Sequence, residues 1–490
     1  MKPALFALIL VFLACKSFAE VLETGPGKPY STPVAAAAAA DPGDTILLTA
    51  SVSQGPFYIS NLKGRHDAWI VIMGYAGTTI RGGAEGFHFS DIAYVKIQDI
   101  TFTGQTGNGM NIDDAGSIET PSHHVIIAGC EFRNMGAQGN NDFLKLSGLD
   151  SFEVAYSTFI NGADGGSGID MVGCHYGRVH HCFFDSMGSN SVQMKGGTRF
   201  IQIENNRFFN GGQRTLNLGG STGLAFFRPL DAPHEAADIQ VYANEFVKGL
   251  APIAYVGCER VDVANNTITM PEKWVIRILQ ETVDTARFVP CRNNMFRNNI
   301  IYFSSLVTSH VNIGSNTQPG SFTFSHNLWY NQSNPSLSTP MLPVQESSGI
   351  RGQDPLFVAG GVGVFRLKSN SPAIGKGTLI AGLTNDMQDN PFKNPPSIGA
   401  FEYFPTGIAV ERHDRLQLYP NPAFTDIRIV NLHQAGSCRI IHANGQLLME
   451  KVLSPADNSI DLSHAPTGIY QMIFSGTDGS QSREILVISR

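Results

Sequence analysis

Residues 95–102 read VKIQDITF, and the phrase recurs down the chain. Its form is apolar, any, apolar, two residues, a small position, any, then a large apolar residue. Later copies are VIIAGCEF, FEVAYSTF, GRVHHCFF, IQIENNRF, IQVYANEF, VDVANNTI and FTFSHNLW, with a degenerate FRNNII at residues 296–301. The closing residues are Phe102, Phe132, Phe159, Phe184, Phe208, Phe246, Ile268, Ile301 and Trp329, at steps of 22 to 38 residues. Strand alternation repeated at such a period means a solenoid. No helical periodicity competes, so the expected fold is all-β, a right-handed parallel β-helix.

The small position holds Cys130, Ser157, Cys182, Asn206, Asn244, Asn266, Asn299 and Asn327. Parallel coils stack about 4.8 Å apart. At that spacing, asparagine amides hydrogen-bond up the stack as they do in cross-β ladders. Cys130 and Cys182 share the column two coils apart, too far to bridge, and are expected to be buried thiols. Beyond Cys15, the remaining cysteines are Cys130, Cys174, Cys182, Cys258, Cys291 and Cys438. Their even count invites a disulfide reading, which the repeat register opposes, since Cys174 and Cys258 also fall on coils three steps apart.

A second strand follows each phrase: GMNIDD, FLKLSG, GIDMVG, SVQMKGG, TLNLGGS, PIAYVG, VIRILQ and HVNIGS. Alternation points Leu144/Leu146, Ile169/Met171, Val192/Met194 and Leu216/Leu218 inward. The residues between the inward pairs face out: Asn111, Lys145, Asp170, Gln193, Asn217, Ala254, Arg277 and Asn312. Lys195 follows one position on. Lys145, Asp170, Gln193, Lys195 and Asn217 therefore share one face on neighbouring coils. A solvated wall with an ordinary Lys145–Asp170 ion pair is the plain alternative. Three features favour a site. Uncharged polar groups suit glycan recognition. Gly196, Gly197, Gly219 and Gly220 are expected to leave open space beside Lys195. The 38-residue step before Phe246 carries the insertion STGLAFFRPLDAPHEAAD, and long loops on rigid scaffolds build sites. The insertion is expected to roof the face with Arg228 and Glu235, and it also offers Asp231 and His234.

Composition adds loose bounds. The 490 residues exceed one ordinary domain, charged residues are few at 15%, and glycine is abundant at 51. A net charge of −7 argues against nucleic acid as a partner. Met1-Lys2, the short apolar run from Ala4 to Ala14 and Ser17-Phe18-Ala19 read as a signal peptide. No later segment is long and apolar enough to span a bilayer.

Residues 416–490 begin LQLYPNPAFTDIRI and end in ILVISR. Tyr419-Pro420-Asn421-Pro422, the Asn444-Gly445 turn, Asp461-Leu462-Ser463, Gly468-Ile469-Tyr470 and terminal Arg490 resemble the C-terminal sorting domain of the type IX secretion system. The resemblance implies that machinery as partner and a secreted or outer-membrane surface location. Alternating runs and Asn-Gly and Asp-Gly turns independently read as a small β-sandwich. The expected organisation is a signal peptide at 1–19, a β-helix at 20–403, a linker at 404–415 and the sorting domain at 416–490, in a monomer.

GPGKPYSTPVAAAAAADPGDTILL at residues 25–48 resembles the entry segment of secreted β-helix polysaccharide lyases. DPLFVAGGVGVFRLKSNSPAIGKG, with Ser397 to Glu402 after it, is similar to a closing segment of bacterial β-helix proteins. Together they imply a polysaccharide substrate. SVQMKGG further resembles the chondroitinase B and alginate lyase group, with Lys195 at that group's lysine. Gly219 stands where its arginine is expected, and Gly188 and Asn190 stand where its calcium ligands are. Arg214, just ahead of the next strand, could replace the arginine.

The functional expectation is lysis of an acidic, uronate-containing glycan. Lys195, Asp170, Arg214 and Arg228 are the catalytic candidates. Lys145, Gln193, Asn217, Arg277, His175 and Glu235 are the substrate-binding candidates. No cofactor is demanded, and Ca2+ stays an open alternative. Glycoside hydrolysis, which needs two carboxylates about one bond, and non-catalytic glycan binding also remain open. His175, His180 and His181 suggest a metal only weakly, because His180 and His181 face opposite ways.

Overall fold

The computed structural model describes residues 19–405 and 416–488, apart from 54, 76, 359–364, 420–422, 424, 431, 433–434, 443–446, 456, 467 and 478–480. The expected signal sequence up to Phe18, most of the 404–415 linker, Pro420-Asn421-Pro422, Asn444-Gly445 and Arg490 lie outside the described residues.

Each phrase folds as strand, corner, strand. Ala93–Gln98 and Thr101–Thr103 flank the corner residue Asp99, whose φ is 58°. The same corner recurs in the left-handed region at Gly129, Tyr156, His181, Asn205, Ala243, Asn265, Asn298 and His326. The left-handed turn re-aims the chain by one face, and asparagine tolerates it best among residues with a side chain. Stacking the coils gives, among the described residues, three parallel sheets of 14, 10 and 12 strands. The ladder runs from Val21–Thr24 to Ile350–Arg351. It is therefore a parallel β-helix.

Two columns hold the coils in register. Phe102, Phe132, Phe159, Phe184, Phe208 and Phe246 stack face to face with centroids 4.6–5.0 Å apart, all buried. The asparagine column forms the expected ladder. Each backbone N–H and each amide Nδ2 of Asn206, Asn244, Asn266 and Asn299 donates to the Oδ1 of the next asparagine at 2.9–3.1 Å. Asn327 ends the ladder on the buried carboxylate of Glu346, which also accepts from Trp329 Nε1.

At the entry end, Ala36 of the short helix Pro33–Ala37 joins the core. At the other end, the segment beyond Arg351 adds no coil. It folds back along the corner column, where Asn205 Nδ2 donates to the Asp386 carbonyl and Asn265 Nδ2 to the carbonyls of Ser397 and Gly399.

The six described cysteines are free and buried. Burial pushes the Cys130 and Cys182 thiols up to about 12. The sulfurs of Cys258 and Cys291 lie 3.9 Å apart. The C-terminal residues form two antiparallel sheets of three and four strands around Ile427, Ile429, Ile440, Ile460, Met472, Phe474 and Leu486.

One corner residue is a stability liability. Burial raises the Asp99 carboxyl from 3.8 to about 7. Between these values the unfolded chain ionises Asp99 while the folded chain keeps it protonated, so stability falls as pH rises from about 4 to 7. Asp99→Asn suits the left-handed corner and removes this loss. It is expected to stabilise by about 1–3 kcal/mol at pH 8 and by little at pH 4. Urea unfolding at the two pH values checks it, and an equal gain at both would refute the account.

Candidate functional site

The outward column of the 10-stranded sheet is the one alternation predicts. Tyr58, His88, Asn111, Lys145, Asp170, Gln193, Asn217, Ala254, Arg277 and Asn312 are successive register partners. Lys195 pairs with Val172 in the neighbouring column.

At the centre, Asp170 is 1% exposed and holds two ammonium groups. Lys145 Nζ makes a close contact with Oδ2, and Lys195 Nζ lies 3.3 Å from the same oxygen. Asp170 Oδ1 is buried without a hydrogen-bond partner. A buried carboxylate is costly unless paired, and here two lysines pair it. Asp142, 3% exposed, is the second acid of this cluster, with its Oδ2 3.6 Å from Lys145 Nζ. Burial first, then the charge of Asp170, raises the Asp142 carboxyl to about 6. Burial opposes the charge on Lys145, but the two carboxylates outweigh it and hold that ammonium above its ordinary value.

Sequence reasoning missed Asp142. Its signal was a second polar column two residues ahead of each inward pair: Glu85, Asn108, Asp142, Ser167, Asn190 and Arg214. The column is hydrogen-bonded: the Asp142 N–H donates to Asn108 Oδ1 at 2.9 Å, and the Ser167 N–H to Asp142 Oδ1 at 2.7 Å. His88 was missed too. It lies 2.7 Å from Glu85 and 2.8 Å from Asp113, and these carboxylates outweigh burial to raise its pKa.

Lys195 and Arg214 open onto one cleft of about 280 Å³, walled by Asn140, Ser189, Asn190, Gln193, Gln213, Asn217, Ser221 and Glu281. Lys195 Nζ lies 3.5 Å from Gln193 Oε1. Arg214 donates to Asn217 Oδ1 at 3.4 Å and pairs with Glu281 at 2.6 Å. The strand register slips between Gln193 and Met194, so Gly219 pairs with Met194. Gly219 has φ 120°, and a Cβ there would meet the Val256 carbonyl at 1.7 Å. No arginine fits at that position, and Arg214 brings a cation to the cleft from ahead of the strand.

The expectation of open space at the glycines is corrected. A Cβ on Gly196 would meet Val172 at 2.9 Å, and one on Gly197 the Arg228 carbonyl at 2.4 Å. These glycines permit close approach of the insertion.

The structure places the insertion's charged residues away from the cleft wall. Arg228 forms a bidentate pair with Asp150 at 2.6 and 2.7 Å and donates to the carbonyls of Gly173 and Ile118. His175 lies beside the same Asp150 and 3.1 Å from the Gly197 carbonyl; burial and the Arg228 charge lower its pKa. Glu235 is buried and accepts from the Gly196 and Thr222 N–H groups and the Thr222 and Thr282 hydroxyls. His234 is buried as well. Arg228, His175 and Glu235 thus anchor the loop, and only Ser221 at its start reaches the cleft.

The cluster does not fit a calcium ion. Asp142 and Asp170 already face two ammoniums, and among the described residues no three acidic, histidine or cysteine groups are placed to hold a metal ion. No described helix is long and apolar enough to cross a membrane.

Residues 417–488 match the family described as the secretion system C-terminal sorting domain. The chain thus carries a type IX sorting domain, which marks it for the cell surface or exterior. No curated protein sequence is similar to the chain. Among solved structures it is similar to pectate lyase Pel9A, at TM-score 0.48 and 15% identity, over 79% of this chain and 97% of that one. It is also similar to an alginate lyase from Paenibacillus sp. str. FPU-7, at 0.39 and 15%, over 61% and 97%. A third likeness is to the A-module of the Azotobacter vinelandii mannuronan C-5 epimerase AlgE6, at 0.41 and 15%, over 65% and 92%. Likenesses this distant transfer no reaction and no residue role.

Proposed function

We propose that the protein is an exported enzyme that cleaves an acidic, uronate-containing polysaccharide by β-elimination in the Lys195–Arg214 cleft. The observation that supports this reading is the joint presence of those two cations in one cleft walled mainly by amides and hydroxyls, with Glu281 the one carboxylate among the lining residues. Amides and hydroxyls suit sugar hydroxyl groups. A guanidinium suits a carboxylate.

Arg214 neutralises the substrate carboxylate, which makes the neighbouring C5 proton more acidic. Lys195 first gives its ammonium proton to solvent, and the resulting amine takes the C5 proton. The C5 electron pair forms the C4=C5 double bond as the C4–O bond breaks, and the leaving oxygen takes a proton from solvent water. Asp170 and Gln193 position the amine. Lys145 makes the closer contact with Asp170, so Lys195 is not that carboxylate's sole counter-ion.

The test is a panel of acidic polysaccharides followed by absorbance of the new double bond. New reducing ends without that absorbance would replace the lyase reading by hydrolysis. Retention on glycan without turnover would replace it by binding alone.

The two arginines are expected to behave differently. Arg214→Gln should raise KM for acidic substrate and flatten its dependence on ionic strength, because an accessible cation acts partly through screened long-range attraction. Arg228→Gln should instead cost about 2 kcal/mol of stability by stripping charged hydrogen bonds from Asp150. Steady-state kinetics in graded salt, with thermal unfolding of both variants, separate the roles. A salt-dependence change confined to Arg228→Gln would reverse the assignment.

A further inference from the structure

Two register steps beyond Asn217, with the buried Ala254 between, the outward column reaches Arg277. Its guanidinium lies 4.6 Å from the ring centroid of half-buried Trp274, and Lys273 Nζ lies 4.3 Å from the same ring. Arg277 Nε donates to Asn312 Oδ1 at 3.0 Å, a neutral partner. Among the described residues neither Arg277 nor Lys273 has a carboxylate within ion-pair distance. Glu272 is exposed and pairs with neither. Glu281, whose charge is felt at Arg277, is paired with Arg214 at 2.6 Å. That pair links the coil of Asn217 to the coil of Arg277. Of the three cations Arg214, Lys273 and Arg277 along this stretch of the face, Arg214 alone has an ion-pair partner among the described residues. Burial and the like charge of Arg214 disfavour the charged form of Arg277. A structural arginine in a wall is normally paired with a carboxylate; this one lies over an indole beside a second cation, Lys273. A guanidinium held over an aromatic ring without a carboxylate partner is a good receptor for an anion.

We propose that Arg277, Lys273 and Trp274 form a second anion-reading subsite for the same glycan, taking the charged group of a sugar residue other than the one at Lys195. The proposal rests on the function proposed above and extends it. Gln193 is three coil steps from Arg277, about 14 Å, which exceeds one sugar ring. The ligand is thus a glycan with acidic groups on separated residues, and a single acidic sugar fills only half the site. The anion is a carboxylate or a sulfate ester, which share this chemistry.

The test measures affinity of the full-length protein for oligouronates of two and six residues, and for a sulfated neutral hexasaccharide, by calorimetry. The parent is expected to favour the six-residue uronate over the two-residue one. Arg277→Gln should weaken the six-residue ligand about tenfold and leave the two-residue ligand unchanged, with Arg277→Lys recovering part of the loss. A sulfated ligand that binds the parent and loses affinity in Arg277→Gln identifies sulfate as the anion read. Equal six-residue affinity in parent and Arg277→Gln, with unchanged folding, overturns the second subsite alone. Failure of the parent to bind any acidic oligosaccharide overturns the proposed function, and the subsite with it.

Discussion

Lys195→Ala is expected to lower kcat on a cleaved acidic glycan by about 10²- to 10⁴-fold, the range of a positioned general base. The residue is suited to that test because its loss does not open the core. Its side chain is 13% exposed, and its contacts are Asp170 at 3.3 Å and Gln193 at 3.5 Å. Lys145 remains on Asp170 after the change, so the buried carboxylate keeps a counter-ion. The stability cost should therefore stay near 1 kcal/mol. KM should move far less than kcat, because Arg214 and the amides still hold the ground state. Lys368→Ala, an exposed lysine beyond the coils, should change neither quantity. Full activity in Lys195→Ala on a substrate that the parent cleaves would remove Lys195 from the chemistry.

The coils were legible because a solenoid makes the same demand at every turn. A large apolar residue must stack on its copy above and below, which is why Phe132, Phe159 and Phe184 can be read as one column. Strand alternation leaves two directions for a side chain, so Lys145, Asp170, Gln193 and Asn217 could be placed on one face without a structure. The rule loses force at strand ends and fails in loops. Asp142 sits at a strand entrance, where alternation assigns a carboxylate to the inside, and only its contact with Lys145 makes sense of it. Arg228 is in a loop, and its partner Asp150 lies 78 residues away in sequence. No local pattern carries such a pairing. The glycines beside Lys195 show the same limit, since a residue without a side chain marks either space or close approach, and the neighbouring backbone decides which.

Asn266→Ala is expected to be the most destabilising single change in the helix, because the ladder makes each amide serve two coils. Asn266 Oδ1 accepts from the N–H and the Nδ2 of Asn244, at 2.9 and 3.0 Å. Its own Nδ2 lies within 3.0 Å of the carbonyls of Val241 and Ala264 and of Asn299 Oδ1. All of these groups are buried away from water. Alanine removes the acceptor and leaves the buried Asn244 N–H unsatisfied, at about 1–3 kcal/mol, while Asn244 Nδ2 keeps the carbonyls of Ile203 and Tyr242. The Val241 and Ala264 carbonyls and Asn299 Oδ1 lose a donor as well. It also leaves a small void in the ladder column. The expected loss is about 4 kcal/mol, a large share of a typical domain's stability. Asn266→Asp tests the cause. A carboxylate can accept both bonds from Asn244, but it cannot donate to Val241, Ala264 or Asn299, and it buries a charge. It should be at least as damaging at pH 7, and part of the loss should return at pH 4 as the carboxyl protonates. Asn316→Ala, exposed and outside the ladder column, is the reference and should cost about 1 kcal/mol, because its φ of 60° suits asparagine better than alanine. Chemical denaturation of the variants decides the matter. If Asn266→Ala unfolds with Asn316→Ala, the ladder adds nothing that the stacked phenylalanines do not already supply.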